Sequence, residues 1–278
     1  MTAYKLFSRA MLLAVLFTIT LVAGCKKDDD DNDDNLPKNT DGLVLVASGY
    51  PAGSGTFVKL WATDSLYAGY NHLYVQVLDS VTDEEITDAH VGLMPMMDMG
   101  SMMHSAPYEN PASEIAVNGL YPCAVVFQMP GEMGWTLDVA IHNHVNNNEG
   151  EVTLPISVKT PAQTRVHVFT AANDSAKLIV SYVGPKKPVV GINDFEIAIH
   201  KMASMMSFPA ADDYTVEIEP EMPSMGHGSP NNENPVLTEN GHYKGKVNFT
   251  MTGDWRINMV TKKSGAVADS TKYFDVTL

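Results

Sequence analysis

The chain repeats itself, and no other feature limits its fold as much. Asn118-Gly119-Leu120-Tyr121 recurs as Asn240-Gly241-His242-Tyr243. At the same distance beyond each Tyr, Val125-x-Phe127-x-Met129 recurs as Val247-x-Phe249-x-Met251. Each copy then has a glycine-containing break and a Trp: Trp135-Thr136-Leu137-Asp138-Val139 against Trp255-Arg256-Ile257-Asn258-Met259. Upstream, Gly69-Tyr70-Asn71-x-Leu73 matches Gly191-Ile192-Asn193-x-Phe195, and Val91-x-Leu93-x-Pro95 matches Val216-x-Ile218-x-Pro220. The blocks keep one order in both halves, as a tandem duplication requires, so the two halves must share one fold.

The period inside each block is two, the side-chain period of a strand. Val247, Phe249 and Met251 alternate with Lys246, Asn248 and Thr250; Trp135, Leu137, Val139 and Ile141 form another apolar face. Further strands are expected at Leu43–Ser48, Phe57–Thr63, Val152–Lys159, Thr164–Thr170, Lys177–Val183, Phe195–His200 and Tyr273–Leu278. Gly, Pro and Asn punctuate the gaps, and no helical period is sustained. The expected fold is all-β, two tandem immunoglobulin-like antiparallel β-sandwiches, residues 42–160 and 161–278, parted where Pro161 interrupts the pattern. Trp135 and Trp255 read as core anchors. Met129, Met251 and Met259 fall on the inward phase, so they and Met133 read as core or turn packing.

The N-terminus sets the compartment. Lys5 and Arg9 precede an apolar run from Ala10 to Phe17 that continues to Ala23-Gly24-Cys25. It has the charged start, apolar middle and small-residue end of an export signal, and is too short for a stable span. Leu21-Val22-Ala23-Gly24-Cys25 resembles a bacterial lipobox, which implies removal of residues 1–24 and a lipid anchor on Cys25. Residues 25–41 then form an acidic tether whose charges repel. Its acidic run resembles the surface-export tag of Bacteroidota lipoproteins; a plain solvated spacer is an equal reading. The expected place is the bacterial outer membrane, held by lipid and facing periplasm or cell surface. A formal charge of -15 argues against nucleic acid as a partner, which needs a basic face. With Cys25 lipidated, Cys123 has no disulfide partner. Sharing the inward phase of Val125 and Phe127, it reads as a buried, inert thiol.

Chemistry-bearing residues sit between the matched blocks. The first half reads Met94-Pro95-Met96-Met97-Asp98-Met99-Gly100-Ser101-Met102-Met103-His104; the second reads Pro220-Glu221-Met222-Pro223-Ser224-Met225-Gly226-His227-Gly228. Aligned on the His, Met102-x-His104 corresponds to Met225-x-His227, and an Asn-Pro pair follows in each, Asn110-Pro111 and Asn234-Pro235. Thioether sulfur is a soft donor suited to Cu(I), and imidazole suits copper in either state. Outside the cytoplasm a free thiol tends to be oxidised, which favours Met over Cys. Five residue steps separate Met222 from His227, at most about 17 Å extended, so one ion can collect Met222, Met225 and His227. The counterpart set is Met99, Met102 and His104. The other reading of these loops is a Met-lined protein contact. Two weaker groups stand beside them. His142-x-His144 shares one strand face and suits Cu(II) or Zn(II), although the second half has Lys262 and Ser264 there. His200-x-Met202 with Met205 and Met206 reads as a loop contact.

The segment Met222-Pro223-Ser224-Met225-Gly226-His227-Gly228, with Gly241-x-Tyr243, Phe249-x-Met251 and Gly253-x-Trp255, resembles the YtkA-like (FixH-like) domain family. The resemblance covers roughly residues 185–262 and, less closely, 65–142. It implies small extracytoplasmic β-sandwiches tied to copper handling and respiratory oxidase maturation. In the first copy Met103 replaces the Gly before His, and two extra residues separate Met129 from Trp135, so its site departs from the pattern. The chain has no nucleophile elbow, Gly-rich phosphate loop or His-Glu-x-x-His helix, and no enzymatic activity is expected. The expected role is Cu(I) storage, delivery or tolerance, with a cuproenzyme, oxidase-assembly or efflux partner. The alternative is a structural or adhesive surface lipoprotein.

Overall fold

The computed structural model describes residues 40–278. The export signal, Cys25 and most of the acidic tether lie outside the described residues. Among those described, every regular element is a strand. The first half has β1 (Val44–Gly49), β2 (Thr56–Ala62), β3 (Gly69–Asp79), β4 (Ala89–Asp98), β5 (Met103–Ser105), β6 (Tyr108–Glu109), β7 (Tyr121–Phe127), β8 (Gly131–Asn143) and β9 (Asn148–Val158). They form two sheets, ordered β1-β2-β3-β7-β6 and β5-β4-β8-β9. The second half has β10 (Val166–Thr170), β11 (Lys177–Gly184), β12 (Gly191–Lys201), β13 (Thr215–Met222), β14 (His227–Gly228), β15 (Glu233–Glu239), β16 (His242–Phe249), β17 (Asp254–Lys263), β18 (Ala266–Asp269) and β19 (Tyr273–Thr277). Its sheets run β10-β11-β12-β16-β15 and β14-β13-β17-β18, with β19 also on β17.

Each pair of sheets closes over one core. In the first, Val58, Leu60, Leu73 and Val125 from one sheet meet Val91, Leu93, Trp135 and Leu137 from the other. In the second, Phe195, Ile197 and Val247 meet Val216, Trp255 and Ile257. The alternation that marked the strands is the alternation of burial, as in β2, where Val58 and Leu60 are buried and Lys59 and Trp61 are not. Trp135 and Trp255 are each 1% exposed, and both are anchors as expected. Cys123 is buried in the first core, and burial pushes its thiol well up from the ordinary cysteine range. Met259 is buried, and Met129 packs against the first core. Of core and turn, Met251 takes the turn, in the bend between β16 and β17. β16 ends at Phe249, so the strand phase stops applying and the Met251 side chain faces solvent, 38% exposed. The Met133 side chain lies outside the described residues.

The repeated residues do repeated work. Asn118-Gly119 and Asn240-Gly241 have positive φ throughout (52°, 77° and 48°, 77°), the backbone of a two-residue hairpin turn that Asn-Gly favours. The Tyr that follows closes the sandwich from inside. Tyr121 Oη donates to Ile86 O (3.0 Å), and Tyr243 Oη donates to Ala211 O (2.7 Å). Asn71 and Asn193 each tie down the start of a strand. Asn71 Oδ1 accepts from Tyr67 N–H and its amide donates to Tyr67 O and Gly69 O. Asn193 makes the same three bonds with Val189 and Gly191. The Asn of each Asn-Pro pair caps the sheet edge that carries the Met loop, accepting from Leu93 N–H in one half and Ile218 N–H in the other, both at 2.9 Å.

Candidate functional site

Each Met/His segment folds as a tight hairpin at the end of one sheet. In the second half Met222 pairs with His227, the last residue of β13 against the first of β14. Pro223 to Gly226 make the turn, with Met225 N–H and Gly226 N–H both donating to Met222 O (3.1 and 2.9 Å). Gly226 has φ 63°, which favours a residue without Cβ. In the first half Met97 pairs with His104 and Asp98 with Met103. The hairpin is thus one pair longer, and its turn is closed by Met99 N–H donating to Met102 O (3.0 Å).

Register places a thioether, an imidazole and an indole together in both halves. Met97 pairs with His104 on one side and with Trp135 on the other. The His104 and Trp135 rings meet edge to face at 5.6 Å, and those of His227 and Trp255 at 5.9 Å. Each indole N–H is tied to the carbonyl of the Met two residues beyond the preceding strand, Met129 (3.2 Å) or Met251 (3.0 Å). A glycine leaves room beside each thioether: a Cβ on Gly253 would sit 3.0 Å from Met222 Cε, and one on Gly134 3.4 Å from Met97 Sδ. His104 Nδ1 lies 2.8 Å from Ser105 O, which fixes the ring and leaves Nε2 as the free nitrogen.

The six residues expected from the sequence therefore divide. His104 and Met222 are each 3% exposed, against Trp135 and in the second core respectively, while His227 is half-buried against Trp255. Met99, Met102 and Met225 stand out in the turns, 50%, 53% and 61% exposed. Cross-strand pairing joins Met222 to His227, but the residue it sets opposite His104 is Met97, not Met99. Met97 is what the alignment on His passed over. Counting strand phase would have found it, because Val91, Leu93, Pro95, Met97 runs in step with Val216, Ile218, Pro220, Met222.

The donors present suit a soft ion. A thioether and an imidazole side by side on one hairpin face are the ligand types Cu(I) prefers. Harder ligands are not gathered: among the described residues no three His, Cys, Asp or Glu side chains surround a common point. The second soft group lies close to the first hairpin. Ser105 N–H of β5 donates to Met205 O (2.9 Å), bringing exposed Met205 and Met206 beside the strand that carries Met103 and His104.

No curated protein matches the chain. Solved structures similar to it include domains 5–6 of the S-layer protein SbsC, 12% identical, covering 84% of this chain and 96% of that one at a TM-score of 0.29. Invasin, a bacterial integrin-binding protein, is 10% identical over 80% of this chain and 39% of its own, with a TM-score of 0.21. An I-band fragment of titin is 8% identical over 84% and 66%, with a TM-score of 0.20. Residues 172–260, which contain the second hairpin, Trp255 and the Asn240-Gly241 turn, match the YtkA-like family.

Proposed function

We propose that this chain is an extracytoplasmic Cu(I)-binding lipoprotein, built from two YtkA-like sandwiches and tethered through Cys25, that stores copper or hands it to a partner. One observation carries the reading: both halves set a Met opposite a His on a hairpin beside a Trp, with a glycine facing the thioether. Neither donor loses a proton when it binds copper as neutral imidazole or thioether, so the site competes for metal without deprotonating a thiol. The turn methionines Met102 and Met225 meet the ion first. Met97 with His104, and Met222 with His227, then hold it on the sheet. Delivery or uptake by a cuproenzyme, an oxidase-assembly factor or an efflux system fits donors exposed at a sandwich end.

Competition of the purified full chain against a colorimetric Cu(I) chelator tests this. The chain should take up about one Cu(I) per hairpin. Met225→Leu with His227→Gln should weaken one of the two sites by about tenfold or more. Met102→Leu with His104→Gln should do the same to the other. Absence of competition by the unaltered chain ends the copper reading. An adhesive module whose Met turns contact another protein would give that result, and the same substitutions would then abolish the contact.

A further inference from the structure

A group of histidines lies on the outer face of the first sandwich, remote in chemistry from the Met hairpins. His142 and His144 lie two residues apart on and just beyond β8, on the side away from the core, with ring centres 4.9 Å apart and planes at 86°. Two imidazoles bound to one tetrahedral ion, at metal–nitrogen distances of about 2.0 Å, have ring centres roughly 5 Å apart. The pair therefore already has the separation a shared ion demands. His90 is the cross-strand partner of His142 on β4, and its side chain is 58% exposed.

Each ring is oriented through one nitrogen by an acceptor, leaving the other open. His144 Nδ1 lies 2.6 Å from Asp88 Oδ1, His90 Nδ1 lies 3.1 Å from Glu114 Oε1, and His142 Nε2 lies 3.2 Å from Asn147 Oδ1. A carboxylate or carbonyl on the far nitrogen is the usual support of a metal-binding His, because it fixes the tautomer and raises ligand basicity. A surface hollow of about 460 Å³ opens between His90 and His142 and is edged by Glu149 and Glu151. Their negative charge favours a cation there. The second half serves as an internal control: the same paired positions hold Thr215 and Lys262, and an ammonium there repels a cation.

We infer that His142 and His144, completed by His90, bind a borderline divalent cation, Zn(II) or Cu(II), independently of Cu(I) at the hairpins. Imidazole nitrogen without thioether selects these ions over Cu(I). As the side chains stand, no three His, Cys, Asp or Glu among the described residues surround one point, so the site closes by rotation of the exposed His90 side chain.

Calorimetric titration of the full chain, purified without a histidine tag, with ZnCl₂ tests the inference. The chain should take up one Zn(II), and His142→Asn with His144→Asn should weaken uptake at least tenfold. Met225→Leu with His227→Gln should leave it unchanged. Nuclear magnetic resonance of the imidazoles in the unaltered chain gives a reading that needs no variant: Zn(II) should first shift the ring signals of His90, His142 and His144. Undiminished uptake by the double variant, no uptake by the unaltered chain, or shifts confined to other histidines would overturn it.

Discussion

Tyr243 shows how much of this fold rests on single buried polar atoms. Its hydroxyl donates to Ala211 O and accepts from Tyr214 N–H (3.2 Å), with the ring 1% exposed. Burial pushes its phenol up to about 12, so it stays a neutral donor. Tyr243→Phe keeps the packing but strands two buried backbone groups, at a cost of about 1–3 kcal/mol. Urea denaturation should show a lower midpoint with an unchanged slope. The repeated Tyr could be read from sequence, since it recurs at a fixed distance from Asn-Gly. Its bonding partner could not, because Ala211 lies thirty-two residues away (243 − 211) and nothing about an Ala marks its carbonyl. The same limit applies at the hairpins. That His104 and His227 belong with methionines is visible in the sequence, whereas which Met each one faces depends on strand register.

At the level of elements, turn chemistry carries the topology. Gly241 has φ 77°, and a Cβ there would lie 2.4 Å from Ile199 O. Gly226, at the tip of the second Met hairpin, has φ 63° and open space around it. Gly226→Ala therefore meets only the left-handed backbone cost of about 1–2 kcal/mol. Gly241→Ala meets that cost and a backbone clash, so it should lower the thermal midpoint further than Gly226→Ala does in parallel melts. An equal fall for both would contradict the packing at the Asn-Gly turn. Most strands were legible because their inner faces are apolar at every second residue. β15 was not: only Pro235 in Glu233–Glu239 is buried, and an edge strand held by backbone pairing to β16 leaves no periodic signal. β5, β6 and β14 are too short for a period to show.

Across the whole molecule, the halves meet through outer sheet faces that the sequence did not mark as contacts. Tyr70, Ala124 and Val126 from the first half pack with Ile179, Val183 and Ala198 from the second. Beside them His242 is clamped, Nδ1 to Glu196 Oε1 (2.6 Å) and Nε2 to Glu109 Oε1 (2.9 Å) across the junction. Tyr70 Oη donates to the other oxygen of Glu109 (2.8 Å). Burial opposes the charge on His242, but the two carboxylates outweigh it and raise its pKa to about 9. Half-buried His72 and buried His200 have no such hydrogen-bonded carboxylates, and burial lowers both to about 4. Because His242 holds its proton more tightly folded than unfolded, its contribution is complete below about pH 6.5 and is lost as pH rises through 9. His72 and His200 act in the opposite sense, favouring the fold above about pH 6.5 and ceasing to as pH falls toward 4. Stability should therefore peak near pH 6.5 in denaturant titrations across pH, and His242→Gln should flatten the alkaline limb while leaving the acid limb. The central claim is that soft donors on two hairpins hold copper, and X-ray absorption at the copper K-edge of the Cu(I)-loaded chain tests it most directly. Sulfur and nitrogen neighbours together, with sulfur falling when Met222 and Met225 become Leu, is the predicted result. A copper environment of nitrogen and oxygen alone would contradict it.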